Sequence, residues 1–488
     1  MTAALLAKLT QNKLGKIHLI ESEAIGTIGV GEATIPPILD FNRLLEINDA
    51  DFLRETRATF KLGIEFRDWK RLGESYMHPF GTVGAGVGRA AFHHSYIRAR
   101  MAGDPTPFEA YSLASVAGRQ ARFAPPPAGD RGVHSTIGYA FHFDAGLYAA
   151  FLRRYAEARG VTRHEGRIIH VAQRPEDGFI SSVTTENGLT LEGDLFMDCT
   201  GMQALLMEKT LQTGFEDWSA WLPASRAWAV PSANAGPLLP YTRSTAHGAG
   251  WQWRIPLQHR IGNGIVFSHD FIEETKACDI LMSHLDSKAL MDPRLIRFRT
   301  GRSKAFWNKN VVAIGLSGGF MEPLESTSIH LIHSSLIKLM DLFPDADFNP
   351  LLAKQYNTAV GLDFETIRDF LILHYKVTER TDSEFWNYCR NMSIPASLQY
   401  KIDQFVENGR VVMSRGDLFQ LPSWLSVMLG QGLIPKRYDP LAKLVESRTL
   451  TETLATMRET IASHAGRLPL HSQFLRQIGM ELSGEDQA

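Results

Sequence analysis

Three features of this sequence have residue types and positions suited to chemistry: an amine among apolar neighbours, a carboxylate at a loop–helix junction, and a helix start able to hold an anion. The amine is Lys61, in TFKLGIEF (59–66), with Phe60, Leu62 and Ile64 beside it. Those neighbours make a buried amine conceivable, although Lys61 taken alone reads as a solvated surface lysine, because lysine is seldom buried. Glu325 lies in GLSGGFMEPLEST (315–327) just before an apolar run. Taken alone it is an acid favoured by the dipole of the helix that follows. In a site, such a carboxylate can stabilise a cation and assist loss of a proton. Thr327 and Ser328 open that helix, where backbone N–H groups suit an anion and the side chains suit capping. Trp251 and Trp253, in WQWRIP, would share one face of a strand, a pattern that also describes plain core. His78 and Phe80, in MHPFG, offer rings for stacking on a flat ligand, with a simple loop histidine as the other reading of His78. His93-His94 and His330 with His333 lack a carboxylate or cysteine at ligand spacing, so no metal is expected.

The elements that must position these residues follow from the pattern of the chain. Residues 3–9 read as the end of a helix, 12–15 as its stop, and 16–21 as a strand ending in the acid Glu21. That is the second half of a βαβ unit, in which an acid so placed holds the adenosine ribose of a dinucleotide. The strand and glycine-rich turn that precede such a helix are missing. Gly84, Gly86 and Gly88 in VGAGVGRA do not supply them, because Arg89 stands at the third glycine of GxGxxG and no apolar strand leads in; a flexible loop is expected. Asp144 is placed to cap a helix bearing Leu147, Phe151, Leu152 and Tyr155 and ending at Gly160. Residues 167–173, 179–186 and 189–191 read as a β-meander with a tight turn at Asn187-Gly188. Residues 194–199 and 310–314 read as buried strands, the second leading through loop 315–327 into a helix over about 328–343. The remainder reads as mostly helical, with Leu450, Leu454, Met457 and Ile461 on one amphipathic face.

Composition bounds the class. The 488 residues are 44% hydrophobic and 21% charged, enough apolar content for a large core. With 51 basic and 53 acidic residues the formal charge is −2, which gives no electrostatic case for nucleic acid or an anionic membrane. A small-molecule enzyme is the better expectation. Cys199, Cys278 and Cys389 are scattered, which argues against a disulfide framework or structural zinc and suits a reducing cytoplasm. No apolar stretch approaches the ~18 residues of a membrane span, and residues 1–11 do not have the form of a signal peptide.

Four separated segments occur in one order: IGVGEATIP (28–36), TFKLGIEF, WQWRIP and GLSGGFMEPLEST. Together they resemble the flavin-dependent tryptophan halogenases, in the branch acting on indole or other aromatics. WxWxIP is that family's signature, and GVGEATIP and MEPLEST match its flavin strap and active-site loop. The likeness runs from Met1 to about Trp386, where TERTDSEFW also matches. It implies an α/β fold like that of FAD-dependent monooxygenases: a Rossmann-type nucleotide-binding unit, a β-sheet substrate region and C-terminal helices, with the first strand and Gly-rich turn missing from the chain. Residues 1–395 would form the flavin-binding halogenase module with its interwoven substrate sheet, and 396–488 a mainly helical region of the same compact unit.

The resemblance also implies roles. Reduced FAD (FADH2) and oxygen would turn chloride or bromide into hypohalous acid, which reaches Lys61 through an internal tunnel and is held there as a haloamine or by hydrogen bonding. Glu325 would stabilise the cationic ring and assist its proton loss. Glu21, Val30, Gly31, Glu32, Ala33, Ile168, Leu316 and Ile329 would hold FAD, and Thr327 and Ser328 the halide. His78 and Phe80 would sandwich the substrate ring, and Trp251 and Trp253 would wall the route from the flavin. Halogenases of free tryptophan carry a tyrosine pair, a glutamate and a tryptophan near the C-terminus. The corresponding stretch here, 410–435, has no Tyr pair and a single tryptophan, Trp424, so indole, a simple derivative or a larger aromatic is the expected substrate. A separate NAD(P)H-dependent flavin reductase is implied as partner, and a homodimer stays open. The alternatives are an aromatic monooxygenase or an inactive, truncated flavin-binding homologue, and WxWxIP with Lys61 favours halogenation. Without the glycine turn, this chain is expected to bind FAD more weakly than a version extended at its N-terminus. Equal affinities by fluorescence titration would refute that expectation.

Overall fold

The computed structural model describes residues 1–25, 31–414 and 416–483. It is a mixed α/β structure in which several small sheets surround one large one. The helix Thr2–Thr10 leads into the strand His18–Glu21, which pairs in parallel with Thr162–Glu165. Burial of Ala4, Leu5, Leu6 and Ala7 explains the helix, and Gln11 ends it in a left-handed conformation. Phe196–Asp198 and Val311–Ala313 form a second parallel pair, the latter running into the loop that carries Glu325. The meander lies nearby as Ile168–Gln173, Ile180–Thr185 and Thr190–Glu192. Asp144 accepts from the backbone N–H groups of Gly146 and Leu147 at the start of the helix Ala145–Glu157. The glycine-rich segment 83–90 is a loop, with Val83 and Val87 buried as anchors.

The large sheet has seven strands, in the order Arg294–Arg297, Arg226–Ser232, Ile261–Phe267, Gly250–Pro256, Thr242–His247, Gly63–Arg67 and Ser75–Pro79. Gly250–Pro256 contains WQWRIP, and every residue of it is buried. Beside this sheet, Glu32–Ala33 and Thr59–Lys61 flank Ala140–Phe143 in a three-stranded sheet. The helices Ser328–Asp341 and Pro350–Lys376 pack on one another, and the second supplies much of the core through Val360, Phe364, Ile367 and Phe370 to Leu373. The C-terminal part is helical: Ala396–Asn408, Leu421–Gly430, Ser447–Arg467 and His471–Gln477. Leu450, Leu454 and Ile461 face inward from the third of these, as their spacing requires. Among the described residues, no helix is long and apolar enough to cross a membrane.

Candidate functional site

Lys61 stands at the point where the chain leaves the small sheet for the large one. Thr59–Lys61 pairs with Ala140–Phe143, and two residues later Gly63–Arg67 pairs with Ser75–Pro79, bringing Ile64 opposite His78. Leu62 bridges the two sheets, donating its N–H to the Pro240 carbonyl and accepting from Phe80 N, each at 2.7 Å. Gly63 permits the close approach, since a Cβ there would lie 2.3 Å from the His78 carbonyl oxygen. The glycine of TFKLG thus sets the distance between the strand bearing the amine and the strand bearing His78.

The amine is fully buried, which overturns the reading of Lys61 as a solvated surface residue. Its Nζ donates to the Thr34 carbonyl at 3.0 Å and to Ser326 Oγ at 2.8 Å, and lies 5.1 Å from the centre of the Phe80 ring. One amine therefore ties the strap segment 31–36 to the loop 315–327. Burial lowers Lys61 to about 7, against the opposing pull of Glu325, so a sizeable fraction is free amine near neutral pH. Ser326 holds its hydroxyl on Nζ from a left-handed backbone conformation, φ 58°, that L-residues seldom adopt.

Glu325 is also fully buried, and it is gripped by two histidines. His78 Nδ1 lies 3.0 and 2.9 Å from its two carboxylate oxygens, and His374 Nε2 lies 2.8 Å from Oε1. Burial works to raise this carboxyl, but the charge of His78 and hydrogen bonds from His374 and His78 outweigh it and hold Glu325 at about 2. It is therefore anionic near neutral pH. His374 is itself fixed: its Nδ1 lies 2.9 Å from the Phe370 carbonyl, and its own carbonyl accepts from Gln431 Nε2 at 2.8 Å. The His78 ring thus presents its edge to Glu325, while Phe370, Phe419 and Phe80 surround it at 5.7, 6.1 and 6.4 Å between ring centres.

The other expected residues occupy the ground between the parallel strands and this cluster. Thr327 is the N-cap of Ser328–Asp341, but its side chain makes no capping hydrogen bond. The capping role is therefore not taken by Thr327, and its buried position leaves the first turn's N–H groups without a side-chain partner there. Gly31, at φ 79°, lies against the sheet, where a Cβ would make ordinary contacts with Gly262 Cα at 3.4 Å and Ile255 of WQWRIP at 3.7 Å, so the left-handed backbone rather than space favours glycine. Glu32 and Ala33 pair with Phe143 and His142. Val30 lies outside the described residues. Glu21, at its strand end, is ion-paired with Arg163 and lies 3.6 Å from Arg153. Ile168 packs with Ile20 in a small apolar cluster beside that strand. Leu316 lines a cleft with Met202, Ala204, Phe215 and Phe320, and Ile329 is buried in the first turn of the helix. A strand-end acid, a glycine against the sheet and an uncapped helix start fit a dinucleotide cofactor with an anion beside it.

The profile of the tryptophan halogenase family matches residues 1–447. The chain belongs to the tryptophan halogenase family. Tryptophan 6-halogenase SttH of Streptomyces toxytricini is 32% identical, over 99% of this chain and 96% of its own length. Tryptophan 7-halogenase RebH of Lentzea aerocolonigenes is 33% identical, over 98% and 96%. Among solved structures, a flavin-dependent halogenase from Xanthomonas campestris superposes with a TM-score of 0.95 at 43% identity, covering 99% of this chain and 97% of that one. BrvH, a flavin-dependent halogenase from a Brevundimonas species, gives 0.94 at 44%, covering 98% and 96%. The protein is a flavin-dependent halogenase.

In this halogenase Lys61, Glu325, His78 and Phe80 come together as one buried cluster, with Trp251 and Trp253 side by side at 6.1 Å on Gly250–Pro256, one strand removed from Gly63–Arg67. Two members of the cluster lay outside the motifs' reach. His374 sits in an apolar helical run, DFLILHY, where a histidine reads as core. Phe419 stacks on Phe370 at 3.9 Å beside His78, and its only sequence signal was its place in the stretch that lacks a tyrosine pair. Trp424, from the same stretch, is buried, and its N–H is used up on the Phe419 carbonyl. Of the histidines set aside as metal ligands, His333 stacks on Phe41 at 3.6 Å and His94 accepts from the Asp439 N–H.

Proposed function

We propose that this halogenase uses reduced FAD, oxygen and chloride or bromide to place a halogen on an electron-rich aromatic ring, through Lys61 with Glu325 assisting. The observation that carries this reading is the fully buried amine of Lys61 hydrogen-bonded to Ser326, the residue next to a buried carboxylate that two histidines approach to 2.9 and 2.8 Å. Reduced FAD, when bound, supplies hypohalous acid from oxygen and halide. Glu21, Val30 to Ala33, Ile168, Leu316 and Ile329 would hold the cofactor, and the N–H groups at Thr327 and Ser328 the halide. Trp251 and Trp253 would wall the passage that keeps the oxidant from escaping.

At Lys61 the amine lone pair attacks the halogen of the acid, hydroxide leaves and takes an N–H proton as water, and an N–halogen bond remains. The substrate ring then attacks that halogen and becomes cationic. Glu325 stabilises the cation and accepts the proton from the ring carbon, and a proton returns to the nitrogen to restore the amine. His78, Phe80 and the neighbouring Phe419 would position the ring. SttH and RebH are named for tryptophan, whereas here Phe419 stands by His78 in the stretch where a tyrosine pair is lacking. Indole, a simple indole derivative or a larger aromatic is therefore the proposed substrate. A separate NAD(P)H-dependent reductase would deliver reduced flavin by diffusion. Mass spectrometry of products from indole, FAD, a flavin reductase, NADH and bromide or chloride tests the reading. A halogenated ring is expected; a product that gains oxygen and no halogen would establish an aromatic monooxygenase instead.

The pH profile distinguishes the two ways Lys61 could hold the oxidant. Formation of an N–halogen bond requires the free amine, so single-turnover halogenation should fall on the acid side of the Lys61 midpoint, about 7. Holding by an ammonium hydrogen bond requires the protonated form and reverses the sign, with a fall on the alkaline side. We expect the acid limb.

A further inference from the structure

The loop that carries Glu325 bears a second fully buried carboxyl, Glu322, which the steps above do not use. Its Oε1 accepts the indole N–H of Trp251 at 3.3 Å and the phenol O–H of Tyr375. Its Oε2 is buried without a hydrogen-bond partner. No cation acts on it among the described residues. Its titratable neighbours are Tyr375 and Cys389, both pushed well above their usual ranges by burial first and by Glu322 itself, hence neutral. Burial raises Glu322 to about 7, against the hydrogen bonds from Tyr375 and Trp251. A buried carboxylate with no counter-charge and one bare oxygen is strongly disfavoured. A neutral carboxyl meets both donors with its carbonyl oxygen and places its own O–H on the other.

Tyr375 directly follows His374 in the helix Pro350–Lys376. The helix thus holds both carboxyls of the loop, with His374 on Glu325 and Tyr375 on Glu322. Trp251 belongs to WQWRIP and packs against Trp69 at 6.5 Å and Trp253 at 6.1 Å. Glu322 is therefore the point where the WxWxIP strand, the helix and the catalytic loop are joined.

We propose that Glu322 is a positioning residue: it fixes the Trp251 indole and, through Pro323 and Leu324, the Glu325–Ser326 end of the loop, so that oxidant reaches Lys61 and is not lost to solvent. This rests on the function proposed above. Glu322→Ala leaves two buried donors unpaired and is expected to lower halogenated product per reduced flavin consumed about tenfold. Hypohalous acid caught by a scavenger in solution should rise in step, while FAD affinity stays within about twofold. Glu322→Gln keeps the acceptor oxygen for the Trp251 and Tyr375 donors, so it should keep coupling within about twofold at neutral pH. Trp251→Phe, which removes only the indole N–H donor, should shift coupling in the same direction as Glu322→Ala, and it carries the test if the alanine variant does not fold. A productive parent whose coupling is unchanged in Glu322→Ala and Trp251→Phe overturns the proposal. A parent that makes no halogenated product overturns the functional reading instead. The carboxyl is then read by infrared difference spectra across neutral pH, where the parent should show a protonated-carboxyl band missing from Glu322→Gln, and its absence from the parent refutes a neutral Glu322.

Discussion

Replacing Lys61 with methionine is expected to lower regioselective halogenation about a thousandfold or more while oxidation of reduced flavin continues at the parent rate. The amine joins segment 31–36 to the loop 315–327, through Thr34 and Ser326, and methionine fills its volume without a nitrogen. The oxidant would then leave unused, so scavenger-trapped hypohalous acid should rise as product falls. Regioselective product at near-parent rate would show that Lys61 has been misassigned. The same variant should be more stable, because a buried amine is costly to keep. Its folded value, about 7, lies below the unfolded value near 10.5, so the unfolded chain binds more protons between them and stability rises with pH across that window. The methionine variant's advantage should therefore be greatest below about pH 7 and shrink toward pH 10.5, as thermal melts at a series of pH values would show. A gain in stability with a loss of product separates a catalytic role from a structural one.

The sequence made the chemistry legible where it is written in short segments, and left it hidden where helices deliver single residues from afar. The strand 16–21, the cap at Asp144, the meander and the Ser328 helix follow from local pattern, and they stand within a few residues of where pattern puts them. Lys61 and Glu325 were legible because each sits in a motif whose neighbours constrain it. Gly63 shows the physical reason, since only glycine tolerates the His78 carbonyl at that distance. His374 was not legible. It comes from the last turn of a 27-residue helix, within the buried run Phe370 to Tyr375 that is otherwise apolar or aromatic, and nothing local separates a ligand of Glu325 from core. Of the two readings of Thr327, capping is not borne out: at φ −93°, ψ −11° it is not in the extended conformation from which an N-cap side chain usually caps, and it makes no capping hydrogen bond.

Glu325→Gln removes the charge and keeps the shape, and is expected to lower kcat by about a hundred- to a thousandfold with little change in KM. The carboxylate is anionic because His78 and His374 grip it more strongly than burial opposes it, so its place in the reaction is electrostatic before it is that of a base. A group held at about 2 is a weak proton acceptor toward ordinary acids. The cationic ring is a far stronger acid than water, which makes the transfer downhill all the same. With the amide in place, proton loss should become slow enough for deuterium at the halogenated carbon to give a primary isotope effect that the parent lacks. A second consequence concerns the amine. Glu325 raises Lys61 against the lowering by burial, so its neutralisation should move the acid limb of halogenation below its parent position near 7. Full turnover in Glu325→Gln would remove the carboxylate from the mechanism. Lost turnover with an unmoved acid limb would mean that the carboxylate acts on the ring but not on the amine. A joint change in rate, isotope effect and limb is the outcome expected of one buried charge facing both the ring and the lysine.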